Sequence, residues 1–344
     1  MLRSSMAGRL AMSALTLSIA TQTPAVEADA AKAETNSPPP PLEVVFPQSI
    51  SEKDSQYLYD YELLRQALAH TQETFGPVEI RPSKAPMNQS RAEDEIMKEN
   101  GLITVFARST SIQKERDMLP VRIPIDKGLI SYRVFLIRDQ DKSLFSSVES
   151  LADLKQLSVG SFSTWADTEI LRSSGFNVVT GDSYEGLFRM LVAGRFDFFS
   201  RGVDEAYREY DERKTELPTM AVEQTLLLHF PTTRYFFVQR SPSGHALATR
   251  IHTGLMQMIA DGSFDQLFYQ FKGHLIAQAK LDHRKLIKIP NPYLSPDTPL
   301  DQKELWFDPG LEAETTVSKV TAYPRSAYTS SDQQGQGLLG GQDQ

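Results

Sequence analysis

Cysteine is absent from all 344 residues. That absence removes disulfides, thiolate nucleophiles, Cys-ligated zinc and a lipid-modified N-terminal cysteine together. It leaves export open, because a chain of this size can be held by core burial alone. An excess of cations is missing as well: 36 Lys and Arg face 44 Asp and Glu, for a net charge of -8. Nucleic-acid phosphates demand clustered cations, so nucleic acid is not an expected partner. Long apolar runs are lacking, and Leu10–Ala20 is too short to span a bilayer.

The signatures of common catalysis are missing too. No G-x-G-x-x-G follows a strand, and there is no Walker loop, H-E-x-x-H or G-x-S-x-G. Six histidines (His70, His229, His245, His252, His274, His283) are scattered without metal-ligand spacing. His245 and His252 lie seven apart on one predicted helix, where they read as solvated. The acidic pairs Asp204/Glu205 and Asp211/Glu212 read as one solvated helix face. The expectation is therefore a non-enzyme with no metal and no cofactor.

What is present begins with an export pattern. Arg3 and Arg9 precede the apolar run, and small-residue sites end at Ala28 and Ala30. This reads as a signal peptide over residues 1–30, cleaved near 28–30, and a periplasmic destination. Residues 31–41, with four consecutive prolines from Pro38, read as an extended linker. Residues 311–344 end in Gln, Gly and Asp and read as a disordered tail.

Between these ends, strand and helix patterns alternate. Leu42–Phe46, Val78–Arg81, Leu102–Ala107, Val121–Ile125, Leu129–Arg138, Leu157–Gly160, Phe176–Val179, Phe196–Phe199, Thr225–His229 and Tyr235–Gln239 read as strands. Tyr57, Tyr61, Leu64 and Leu68 recur at helical spacing before Gly76-Pro77. Ser90 with Glu93 reads as a capping box, and Leu247, Ile251, Leu255 and Met258 mark a long helix stopped by Gly262. The alternation predicts an α/β protein built on mainly parallel strands.

Ligands of such sheets sit beyond the carboxyl ends of strands. Ser109, Thr110, Ser111 and Arg116 fall in a polar stretch just after one predicted strand, and an arginine there can grip a carboxylate bidentately. The alternative is that Arg116 is a surface charge beside Lys114 and Glu115.

The run Ser109-Thr-Ser-Ile-Gln-Lys-Glu-Arg116, followed by Val121-Arg-Ile-Pro-Ile125, resembles the periplasmic solute-binding proteins of the polar amino-acid transport type, solute-binding family 3. Glu149-Ser-Leu-Ala-Asp-Leu-Lys155 with Val159-Gly160 is similar to that family's entry into its second lobe. Gly194-Arg-Phe-Asp197 and Met258-Ile-Ala-Asp-Gly-Ser-Phe-Asp265 resemble two later family motifs. The ordered set covers roughly residues 42–275. The resemblance implies a bilobed α/β, type 2 periplasmic-binding-protein-like fold, with lobe 1 from residues 42–134 and 232–310 and lobe 2 from 135–231. It implies two hinge crossings, near Leu129–Arg138 and Leu226–Gln239, and closure on a ligand gripped by Arg116.

Two departures shift the expected ligand. Amino-acid binders have G-T-T where this chain has Ser163-Thr164-Trp165, and an aspartate where it has Gly202, beside Arg201. A cation in place of an anion disfavours an ammonium, so an anionic or carboxylate-bearing ligand is expected. Ser109, Thr110, Arg116, Thr164, Trp165 and Arg201 are the expected ligand-binding residues. Trp165 has core packing as its alternative. The protein is expected to act as a monomer, with a small-molecule ligand and a membrane permease of an ABC transporter or a receptor as partner. A sensory module or a dehydratase-like enzyme on the same fold is the alternative.

Overall fold

The computed structural model describes residues 40–49 and 55–310. The expected signal peptide, nearly all of the linker and the expected disordered tail lie outside the described residues. The chain runs through β1 (Leu42–Gln48), α1 (Ser55–His70), α2 (Gln72–Phe75), β2 (Val78–Pro86), α3 (Gln89–Met97), β3 (Val105–Ser109), α4 (Ile112–Asp117) and β4 (Leu119–Val121). It continues with β5 (Tyr132–Arg138), α5 (Lys142–Ser146), α6 (Leu151–Leu154), β6 (Ser158–Phe162), α7 (Ala166–Ser173), β7 (Asn177–Gly181), α8 (Tyr184–Val192), β8 (Phe198–Gly202), α9 (Val203–Arg213), β9 (Met220–Val222) and β10 (Leu226–His229). It closes with β11 (Arg234–Val238), α10 (Pro242–Asp261), α11 (Ser263–Ala279) and β12 (Lys285–Lys288).

The strands form two centres. In the first, β11 lies antiparallel between β3 and β4. The parallel pair β1–β2 joins its flank through Thr104, whose N–H donates to the Val45 carbonyl at 2.9 Å. In the second, seven strands run β12-β10-β5-β8-β6-β7, with β9 also on β5. This sheet is mixed: β5 is antiparallel to β8, β9 and β10, while β6, β7 and β8 are parallel. Helix α1 packs on α10, where a Cβ on Gly254 would lie 1.9 Å from the Ala67 carbonyl oxygen. The fold class is α/β, with two sheet-bearing lobes.

Local chemistry explains where the elements begin. Ser241 caps α10, its Oγ accepting from Gly244 N at 3.1 Å, with Pro242 pre-set for the first turn. Gly262 ends that helix at φ 83°. The cap of α3 is Asn88, whose Oδ1 accepts from Arg91 N at 2.9 Å, rather than the expected Ser90–Glu93 box. The expected strand Val121–Ile125 is not formed: β4 ends at Val121, where that strand was to begin, Pro124 cannot donate to a ladder, and Ile125 N turns to the Arg234 carbonyl. The strand expected over Phe196–Phe199 begins two residues later, at Phe198, and carries on to Gly202.

The joint between the lobes differs from two hinge strands. The first pass is residues 122–131 and the second 230–233. They are tied by Ser131 Oγ, which donates to the Thr232 carbonyl at 2.6 Å and accepts from Thr232 N at 3.0 Å. The expected lobe 1 segment 232–310 does not stay in lobe 1. After α11 the chain passes over again, and β12 joins the second sheet, parallel to β10. It then returns along the joint. Asn291 Nδ2 donates to the Pro231 carbonyl at 2.8 Å, Ile112 N to the Tyr293 carbonyl at 3.2 Å, and Phe307 N to the Lys127 carbonyl at 2.7 Å. The Trp306 ring lies on Gly128, which holds φ 65° and where a Cβ would meet that ring at 2.3 Å. One hydrophobic cluster runs through both lobes, including Val44, Leu64 and Val105 of the first with Leu136, Phe188 and Phe199 of the second.

Candidate functional site

The first charged centre is built by α1, β11, the first pass, α9 and α11. Tyr59, Leu63 and Leu64 turn inward on α1, and this carries Asp60 into the interior. Arg234 opens the otherwise apolar strand β11, opposite Ser109 of β3. Its guanidinium donates to both carboxylate oxygens of Asp60, at 2.9 and 2.5 Å, the bidentate geometry that gives Arg–carboxylate pairs their strength. Asp126, 2% exposed, accepts from Gly128 N at 3.1 Å, and the Tyr59 hydroxyl donates to the Ile125 carbonyl at 2.5 Å. Across the joint, Lys272 of α11 meets Asp204 of α9 at 2.6 Å.

Burial and like charge set the protonation of this group. Loss of solvent pushes the Asp126 carboxyl up to about 6; Asp204 and Asp60 add to this while Arg234 and Lys272 oppose it. Burial also acts against the charge of Arg234, but Asp60, Asp126 and Asp204 overcome it and hold the guanidinium above its ordinary value. Asp204 is held below its ordinary value: burial raises it, and Lys272 more than offsets that.

A cavity of about 260 Å³ opens onto this centre at the carboxyl end of β1. Asp60 and Arg234 line it from within. Phe46, Tyr57 and Phe106 give it aromatic walls, and Gln48 and Asn88 give it polar ones. Its position, beyond the end of a strand, is the usual place for a ligand in an α/β protein.

A second centre lies on the far sheet. Arg201 is 5% exposed and donates to Glu209 at 2.8 and 2.7 Å, with Glu205 3.2 Å away. Its guanidinium carbon sits 4.4 Å from the Trp165 ring centroid and 5.1 Å from that of Phe199. The Tyr184 hydroxyl donates to Glu209 at 2.5 Å. Burial opposes the Arg201 charge, and Glu205 and Glu209 overcome it.

Of the six expected ligand-binding residues, the structure brings together Trp165 and Arg201. It does so as an internal stack: Trp165 lies nearly parallel to Phe199, with centroids 6.0 Å apart. The cation of Arg201 is taken by internal carboxylates, which removes the expected basis for an acidic ligand. Arg116 is exposed on α4, and the inward residue there is its neighbour Glu115, paired with Arg122 at 2.8 Å. Thr110 is buried, donating to Glu115 at 2.6 Å, and Ser109 is half-buried at the end of β3. Thr164 is exposed before α7. None of the six lines the cavity.

The solvated-face reading of α9 holds for Asp211 and Glu212, which are exposed, and is corrected for Asp204, which is 8% exposed, and for Glu205, which is half-buried. Asp60, Asp126, Arg234 and Lys272 escaped the sequence reading. A lone arginine at the head of Tyr235–Val238 was the available sign. Among the described residues, no group of three His, Cys, Asp or Glu is placed to hold a metal ion, and no helix is long and apolar enough to cross a membrane.

No family model matches the chain, and no curated protein matches it. Solved structures do. An ancestral arginine-binding protein bound to arginine is 17% identical, over 67% of this chain and 97% of that one, with a TM-score of 0.47. A binding component of an ABC transporter from Wolinella succinogenes, complexed with lysine, is 14% identical over 67% and 94%, with a TM-score of 0.47. A histidine kinase sensor domain with similarity to periplasmic binding proteins is 17% identical over 67% and 95%, with a TM-score of 0.45.

Proposed function

We propose that this protein is an exported receptor for a small solute, bound without covalent chemistry in the cavity of the first lobe. The observation that carries this reading is the cavity itself: about 260 Å³, at a strand end, with three aromatic walls and one buried ion pair on its floor. Few polar groups converging in an apolar hollow are the usual make-up of a small-molecule site. The basic, apolar and small-residue order of residues 1–30 supports export to the periplasm. Delivery to a membrane permease or receptor, by a monomer, completes the proposal.

The test is a thermal-shift screen of the protein against metabolites, run beside Ala107→Leu. Ala107 lines the cavity, and the larger side chain reduces its space. A ligand at one hundred times its Kd stabilises the fold by about 2.7 kcal/mol. Hits on the natural protein that vanish in the variant support the proposal. Hits that persist in the variant place the ligand elsewhere.

A further inference from the structure

Two charged side chains line the cavity, Asp60 and Arg234, and the interior claims both. Each is buried, and the guanidinium takes both carboxylate oxygens of Asp60, at 2.9 and 2.5 Å. Asp60 has a further interaction besides. Asp126 and Asp204 act on Arg234 as well. These two, with Lys272 and Arg208 acting on Asp204, do not line the hollow. A charged ligand of either sign would give up its water here with no free counter-charge to receive it, which is costly. An uncharged ligand escapes that cost.

The rest of the lining is apolar or carboxamide. Phe46 and Phe106 are buried and Tyr57 half-buried, with the Phe46 and Tyr57 ring centroids 5.6 Å apart. Aromatic rings attract one another edge to face or offset, beyond the area they bury. The outer lining carries three carboxamides: Gln48 is half-buried, Asn88 and Gln89 are exposed. Asn88 Oδ1 is spent on Arg91 N at 2.9 Å and Gln89 Oε1 on Arg108, which leaves their amide nitrogens to donate. Gln48 uses its backbone N–H on Ser83 Oγ at 2.9 Å, and its carboxamide has no partner among the described residues. Donors of this kind suit a carbonyl oxygen. An apolar cavity of roughly 150 Å³ holds a benzene. The 260 Å³ here leaves room for one ring with a short polar arm.

We infer that the cavity takes a small uncharged compound of one flat ring and one carbonyl, the ring between Phe46, Tyr57 and Phe106 and the carbonyl against the carboxamides of Gln48 and Asn88. The inference rests on the reading of the cavity as the ligand site. It replaces the anionic ligand expected from Arg201, because that arginine is consumed inside the other lobe.

The experiment titrates the full chain by calorimetry with three probes of one shape and different charge: benzamide, benzoate and benzamidinium. Benzamide is expected to bind about tenfold or more tightly than either ion, and to lose its binding in Ala107→Leu. Gln48→Ala, whose side chain holds nothing else in the fold, should weaken benzamide about fivefold, and it locates the site should Ala107→Leu not fold. Benzamide unchanged in Gln48→Ala overturns the placement of its carbonyl. Either ion binding as tightly as benzamide, and lost in Ala107→Leu, overturns the inference of an uncharged ligand while the cavity remains the site. Benzamide binding that persists in Ala107→Leu overturns the cavity reading and the inference together. If no probe binds, a metabolite hit that is lost in Ala107→Leu keeps the cavity as the site and overturns the inference; without such a hit both fall.

Discussion

Replacing Asp126 with asparagine should stabilise the protein, and the gain should depend on pH in one direction. In the folded state this carboxyl titrates near 6, against 3.8 when exposed. The difference of about 2.2 pH units is worth about 3 kcal/mol at 1.36 kcal/mol per unit. Between pH 3.8 and 6 the folded state holds more protons on Asp126 than the unfolded state does. Its favourable contribution is thus present at low pH and lost as pH rises through 6. Asparagine mimics the protonated form, and its Oδ1 can still accept from Gly128 N. The variant should exceed the natural protein by about 3 kcal/mol at pH 7.5 and by about 1 kcal/mol at pH 4.5. Urea denaturation followed by tryptophan fluorescence reads this well, because one of the two tryptophans, Trp306, lies on Gly128 two residues away. Equal stability at pH 7.5, or a gain of the same size at both pH values, would refute the account of Asp126 as a charge held against its solvation.

Two further substitutions test other parts of the interior. Gly128→Ala adds a methyl group into the Trp306 ring at a positive φ, and should cost about 2 kcal/mol or more by urea midpoint; a loss below about 0.5 kcal/mol would mean that the ring is not seated there. Glu209→Ala leaves Arg201 buried with a weaker partner in Glu205, and should cost about 3 kcal/mol and shift the emission of Trp165, whose ring the guanidinium covers; natural stability and spectrum would show the pair to be dispensable.

Strand and helix order was largely legible, since the apolar periods of Leu42–Phe46, Leu247–Met258 and Tyr235–Val238 survive as β1, α10 and β11. The strands that escaped are those without a period. Met220–Val222 is three residues long, and Lys285–Lys288 sets adjacent leucine and isoleucine between two lysines in a segment rich in charge. The second becomes a strand because an edge position on β10 was open to it, which is a property of the sheet rather than of the segment. The candidate site was less legible for a related reason. Arg116 and Asp204 are both charged residues on short or charge-rich helices, yet one faces solvent and the other Lys272. Local sequence gives no sign of which face a neighbouring element will cover. The pairing of Trp165 with Arg201 was within reach, because both fall at the carboxyl ends of their strands, but the carboxylate that claims the arginine lies eight residues further on, at Glu209.

The return of the chain along the joint has a mechanical consequence. Two adjacent strands between lobes leave one soft axis of rotation, and closure of a cleft is motion about that axis. Here the passage into β12 and the stretch from Asn291 to Phe307 add supports to either side of it, and a rotation that relaxed one would stretch another. Such a body behaves as a plate rather than a door. A solute would enter through side-chain movements at the mouth of its cavity, and its exchange rate would be set there. The radius of gyration would then stay the same whether the cavity is filled or empty.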